Sequence, residues 1–158
     1  ENNYKNISCI QKAVSNQVKK ATMEISSRIG DHRIIQNKTS EKPTIQVDCT
    51  TLDNFFKEKN KVDFLKIDAE GFDFFVLEGA KQIIEKNQNI IIFIEFNPYL
   101  LNLNNVEPKK LVDLLVNLGF TLYDVENSNN VEPSTLSDIL MYDDGDKTHL
   151  TNLLCVKC

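Results

Sequence analysis

Apolar residues fall along this chain in two kinds of pattern, and each predicts a different element. Val62, Phe64, Leu65 and Ile67 lie within six positions, a short apolar run that predicts a strand buried on both faces, as in a parallel sheet. Ile90 to Phe96, Ile-Ile-Ile-Phe-Ile-Glu-Phe, is a second such run, and Asn97-Pro98 terminates it. Two looser alternations predict half-buried strands: Lys19 to Ser27, with Ala21, Met23 and Ile25 on one side, and Thr44 to Cys49, with Ile45, Val47 and Cys49 on one face. They would form an antiparallel hairpin joined by a long polar loop, Arg28 to Lys42, which contains Gly30 and Asn37. Further strands are expected at Ile7 to Val14, ahead of a Ser15-Asn16 turn, at Phe120 to Val125 and at Leu153 to Val156.

Helical spacing marks the segments between them. A short helix is expected from Thr50-Thr51-Leu52-Asp53 through about Lys59, with Asn60-Lys61 as its break. Thr50 followed three positions later by Asp53 imitates a capping box, so Asp53 reads as structural. Phe72, Phe75, Val76, Ala80, Ile83 and Ile84 form one helical stripe that ends at Asn87-Gln88-Asn89. Pro108 suits a first helical position, Leu111, Leu114, Leu115 and Leu118 give one apolar face, and Gly119 is a natural stop. Glu126 to Pro133 reads as a polar turn, Leu136, Ile139 and Leu140 as a short packed segment, and Asp143 to Asp146 as an acidic turn around Gly145. Strand, helix, strand, helix, strand across the second half predicts an α/β fold with a mainly parallel sheet.

The 158 residues suit one domain with a sizeable core. A net charge of −5 and the absence of a basic cluster argue against a nucleic-acid partner. No apolar run approaches the length that spans a bilayer, so no membrane partner is expected. Cys9, Cys49, Cys155 and Cys158 lack the second pair or the histidines that a structural zinc site needs. They read as free thiols in a reducing, cytoplasmic compartment.

The chemistry concentrates where the Val62 to Ile67 strand stops. Asp68, Glu70 and Gly71 follow it, and a helical pattern begins at once. In open α/β sheets ligands bind at this carboxyl edge. A plainer reading is that both acids favour the N-terminus of the next helix. Glu95 lies near the end of its own strand, so parallel neighbours would put all three acids on one rim. Three acids together would also suit Mg²⁺, a hard ion that prefers oxygen ligands. Lys66 projects to the same side as Asp68. It reads as the partner of a neighbouring acid or, more sharply, as a base.

Leu-Lys-Ile-Asp-Ala-Glu-Gly at 65–71, Val-Leu-Glu-Gly-Ala at 76–80 and Phe-Ile-Glu-Phe-Asn-Pro at 93–98 resemble the second half of an FkbM-type methyltransferase. Thr-Leu-Asp-Asn-Phe-Phe at 51–56 and Gln-Lys-Ala-Val-Ser-Asn at 11–16 fit the same pattern. The resemblance implies a Rossmann-like class I fold with strand order 3-2-1-4-5-7-6, S-adenosylmethionine as cofactor, and O-methylation of a small acceptor such as a saccharide. For such chemistry Asp68 would orient the acceptor or accept its proton, Glu70 would hydrogen-bond its hydroxyls, Glu95 would complete the acidic cluster and Lys66 is a further catalytic candidate, while Ala13 and Asp68 are the candidates to meet the cofactor.

The chain departs from that family in lacking the glycine-rich cofactor loop and the ribose-holding acid. It also starts at Glu1 rather than at a methionine. It therefore reads as a partial domain, with the first strands missing and little hold on S-adenosylmethionine. A non-catalytic binding module and a metal-assisted hydrolase using Asp68, Glu70 and Glu95 are the alternatives. If those strands are missing, Phe64 to Asp68 loses a neighbour. Either the Ile7 to Val14 strand would move in beside it or a second copy would supply an edge, leaving it paired on both sides.

Overall fold

The computed structural model describes residues 4–36, 40–58, 61–126 and 132–157. Asn37, Lys59, Asn60, Cys158 and most of the Glu126 to Pro133 turn lie outside the described residues. The strands are β1 (Ala13–Val14), β2 (Lys20–Glu24), β3 (Arg33–Ile35), β4 (Thr44–Thr50), β5 (Phe64–Ile67), β6 (Ile91–Phe96), β7 (Phe120–Asp124) and β8 (Thr151–Lys157). The helices are α1 (Leu52–Phe55), α2 (Asp73–Glu78), α3 (Lys81–Lys86), α4 (Pro98–Leu103), α5 (Pro108–Asn117) and α6 (Leu136–Leu140).

They build two mixed four-stranded sheets, ordered β1-β4-β2-β3 and β5-β6-β8-β7. In the second, β5 and β6 run parallel, while β8 is antiparallel to both β6 and β7. The expected mainly parallel sheet is therefore mixed. β5, β6 and β7 share a direction, and the reversed β8 makes two of the three ladders antiparallel. The expected antiparallel hairpin forms between β2 and β4. It gains β3 on its outer side, within the stretch read as a loop, because Ile34 is apolar enough to be buried there.

The second sheet is covered on one face. Ile67, Ile92, Ile94, Phe96, Leu122, Leu153 and Cys155 point into a single core, with Val76 and Leu77 of α2, Ile83 and Ile84 of α3, Leu101 of α4, Leu111 and Leu115 of α5 and Ile139 of α6. Burying such a side chain contributes about 1.5–3 kcal/mol. The opposite face carries Phe64, Lys66, Ile91 and Phe93, none of them buried. The expectation that the Val62 to Ile67 strand is buried on both faces is thus corrected: β5 alternates as a one-sided strand, and Phe64 is 56% exposed.

β5 is also an edge. Among the described residues its one strand neighbour is β6, so the expected pairing on both sides does not occur. The Ile7 to Val14 segment does not move in beside it. Only Ala13–Val14 is a strand, and it pairs with Cys49 and Thr50 of β4. Residues 7–12 lie exposed.

Local chemistry accounts for two further differences. The single stripe from Phe72 to Ile84 breaks into α2 and α3 at Gly79-Ala80. There Gly79 meets the turn after β1 so closely that a Cβ would lie 2.2 Å from the Ser15 carbonyl oxygen. Asn16 Nδ2 adds a hydrogen bond to Glu78 Oε2 at 3.0 Å. Asp53 then caps α3 across this break, accepting the Gln82 and Ile83 N–H groups at 3.2 and 2.9 Å. Asn97-Pro98 does more than end β6. The Asn97 side chain accepts the Leu100 N–H at 3.2 Å and Pro98 takes the first turn, which starts α4.

The contact at Gly79 yields a test. Gly79 has an ordinary φ of −82°, so alanine there costs nothing in backbone conformation. Gly79→Ala is expected to lower stability by about 1–3 kcal/mol through overpacking against Ser15. An unchanged urea midpoint would show that the Ser15 backbone does not sit on Gly79 in this way.

Candidate functional site

The register of the parallel pair sets the site. Ile67 lies opposite Ile94, so the next step along both strands brings Asp68 beside Glu95 on the open face. The two acids are at the carboxyl ends of adjoining strands, as the sequence implies. Lys66 sits two residues back on the same face, opposite Phe93. Its Nζ meets Asp68 Oδ2 at 2.6 Å, with the side chains 56% and 46% exposed. An ion pair so open to water contributes about 0–1 kcal/mol. The apolar face therefore holds β5 in place, and the ion pair only orients Asp68. Lys66 is half-exposed and paired, rather than enclosed in apolar strand as a lysine base requires.

After β5 the chain turns sharply. Glu70 has φ +50° and Gly71 φ +86°. The turn presses against α4, where a Cβ on Gly71 would lie 2.6 Å from Leu100 Cβ and from the Leu100 carbonyl oxygen. Glycine is thus required at 71 twice over, by conformation and by space. Burial, then the charges of Asp68, Asp31 and Asp73, push the Glu70 carboxyl above its ordinary range, against the opposing pull of Arg33.

The sequence reading missed Asp73. This residue is 1% exposed, and its carboxylate turns back from the start of α2. Its oxygens accept the Ala69 N–H at 2.9 Å and the Gly71 N–H at 3.0 Å. Burial raises it to about 6, outweighing those hydrogen bonds. Its one sequence signal is an acid two residues after Gly71, which helix-start statistics absorb as ordinary.

Glu95 is strongly perturbed as well. Burial raises it to about 7, and Asp73, Asp68 and Glu70 add like charge while Lys66 opposes them. Its Oε2 is buried without a hydrogen-bond partner, the one such side-chain atom among the described residues. Orphan acceptors of this kind are rare.

The remaining expectations fall elsewhere. Ala13 lies in β1 of the other sheet, where it lines a groove with Met23 and Ile45. Among the described residues no three His, Cys, Asp or Glu side chains are grouped to hold a metal ion. The Mg²⁺ arrangement of Asp68, Glu70 and Glu95, and with it the hydrolase alternative, is therefore not assembled. Cys49 and Cys155 are buried free thiols, and Cys9 is an exposed one. No helix among the described residues is long and apolar enough to cross a membrane. A cleft of about 420 Å³ opens between the β1-β4-β2-β3 sheet and α2, lined in part by Asn16, Lys19, Gln36, Phe72 and Phe75. Phe72 follows Gly71 directly, so this cleft adjoins the acidic turn.

Comparison with known proteins bears on what such a rim does. The family model of the methyltransferase FkbM domain matches residues 1–122, a span that includes Asp68, Glu70, Asp73 and Glu95. No curated protein and no solved structure matches the chain. The matched span covers far more than half of the sequence, and the chain belongs to the FkbM methyltransferase domain family.

Proposed function

We propose that this chain forms the acceptor side of an S-adenosylmethionine-dependent O-methyltransferase acting on a small hydroxylated molecule, with saccharides the leading class. The observation that carries the reading is the buried, unpartnered Glu95 oxygen beside Asp68 at the ends of adjoining parallel strands. An acceptor hydroxyl that donates to this oxygen satisfies it. A carboxyl near 7 is well matched to take up the proton released when that hydroxyl is methylated. Asp68, steered by Lys66, orients the acceptor, and Glu70 hydrogen-bonds its neighbouring hydroxyls. The adjoining cleft gives the rest of the molecule a place to lie.

S-adenosylmethionine supplies the methyl group in this family, but the residues present do not fit it. Gly30, Gly119 and Gly145 face open space, while Gly71 and Gly79 are packed on Leu100 and Ser15. No glycine therefore lines a cradle for the cofactor. The order β5-β6-β8-β7 with β8 reversed agrees with the 4-5-7-6 half of a Rossmann-like methyltransferase sheet. On this reading the first strands come from outside the chain, and the free edge of β5 is where they, or a second copy, would pair. The glycine geometry also favours a second reading, in which the chain alone binds its acceptor without turning it over.

Three outcomes follow. Calorimetric titration of the 158-residue chain with S-adenosylmethionine is expected to show no micromolar binding, and a micromolar isotherm would sink the partial-domain reading. In a form of the protein that turns over, Asp68→Asn is expected to cut kcat roughly a hundredfold through a misoriented acceptor, with little loss of stability. Full activity in that variant would leave Asp68 as a helix-start acid and nothing more.

The third outcome concerns pH. The Glu95 carboxyl is raised from 4.5 to about 7 in the folded chain, so the folded state holds this proton more tightly than the unfolded state does. Its contribution to stability is present below pH 4.5 and is lost as pH rises through about 7. Glu95→Gln is therefore expected to flatten the fall in urea midpoint over that window. An unaltered slope would show that Glu95 is not the perturbed group.

A further inference from the structure

The turn between β5 and α2 holds an unfavourable backbone. A left-handed residue other than glycine or asparagine costs roughly 1–2 kcal/mol. Among the described residues only Glu70 and Asn105 are non-glycine positions with positive φ, and asparagine tolerates it. Glutamate has no such excuse, so its surroundings must enforce the conformation.

Two buried side chains do so. Asp73, 1% exposed, accepts the N–H groups on either side of Glu70, those of Ala69 and Gly71. Asn104, 4% exposed at the end of α4, donates through Nδ2 to the Gly71 and Leu100 carbonyls, both at 3.2 Å. Gly71 is thus held by its N–H from α2 and by its C=O from α4. The Phe72 N–H closes the turn on the Ala69 carbonyl at 3.0 Å. This is not a plain helix cap, because Asp73 is the first residue of α2 and its carboxylate reaches back to the Ala69 and Gly71 N–H groups of the turn as well as to its own N–H. Burying a carboxylate for that purpose is costly.

We propose that Asp73 and Asn104 are the positioning residues of the site: they clamp the Gly71 peptides from two helices, lock Glu70 in the left-handed region, and thereby aim Glu70 and Asp68 at the bound acceptor. The functional half of this proposal rests on the methyltransferase reading given above. The clamp itself does not.

The test separates the two. Asp73→Asn keeps the size but places an NH₂ where one N–H needs an acceptor. Asn104→Ala removes the donor to Gly71 without changing any charge. In the 158-residue chain, both variants are expected to speed amide exchange at Gly71 about tenfold while Ile92 and Leu153 stay protected. A merely structural contact would not move the Glu70 titration. Asp68, Asp31, Asp73 and Arg33 are charged groups acting on Glu70, and Glu70 and Glu95 also act on each other. Asn104→Ala leaves all five in place, so a fall of the Glu70 carboxyl ¹³C midpoint toward the ordinary range reports release of the turn. Unchanged Gly71 exchange and an unchanged Glu70 midpoint would overturn the clamp.

In a form that turns over, both variants are expected to lower kcat more than about tenfold with KM within about twofold. A loosened turn with normal kcat would overturn the positioning role. Full activity of Asp68→Asn, by contrast, would remove Asp68 from the reaction and leave the clamp itself standing on the exchange and titration results.

Discussion

The parallel pairing of β5 with β6 is the constraint on which the rest of this molecule depends. Ile67 against Ile94 and Leu65 against Ile92 fix which residues enter the core, and the same register puts Asp68 beside Glu95. A slip of one residue would turn Lys66 into the core and Ile67 out to water. The burial of Ile67, Ile92 and Ile94 outweighs by several-fold anything an exposed Lys66–Asp68 pair can contribute. The acids are therefore brought together by hydrophobic packing on the far side of the sheet, not by their own interactions.

One-sided covering explains the electrostatics of the rim. Because the helices pack on a single face, the other face stays open enough for Asp68 and Lys66 to remain half in water, while Glu95, one strand further in, has an oxygen with no access to solvent. Asp73 goes further and is enclosed between β5 and α2. The result is a gradient of desolvation across a few residues, from an exposed carboxylate to a fully buried one. Carboxyls pushed apart in this way can take different roles in one site.

Much of this was legible in the sequence, and the failures share one cause. The Ile90 to Phe96 run, the leucine face of α5 and the alternation in β2 and β4 are local signals, and each became the element it predicts. The placement of Asp68 and Glu95 near one edge was legible because a parallel β5–β6 pair brings both strand ends to the same side of the sheet. What escaped notice depends on contacts made at a distance. The break at Gly79 comes from Ser15, sixty-four positions earlier. β3 is too short to announce itself between polar neighbours and exists because β2 offers an edge. The open face of β5 follows from where the helices go, which its own apolar residues cannot encode. α4 was the exception, since Asn97-Pro98 is a local helix start that was read only as a strand stop.

Charge at the rim has one more consequence. Asp68 adds like charge to Glu70, Asp73 and Glu95, Asp73 adds it to Glu70 and Glu95, and Glu70 adds it to Glu95, while only Lys66 and Arg33 oppose them. A proton held by Glu95 relieves Asp73 and Glu70, so near neutral pH the cluster does not carry the full charge of four carboxylates. A neutral hydrogen-bond donor arriving at the Glu95 oxygen meets an acceptor that is already desolvated and needs no water stripped from it. That saving is available only because the register and the one-sided core have already held Glu95 away from solvent, before any ligand arrives. On the proposed reading, the same burial that makes Glu95 unfavourable in the free chain leaves an unpartnered oxygen to accept from a hydroxyl of the acceptor.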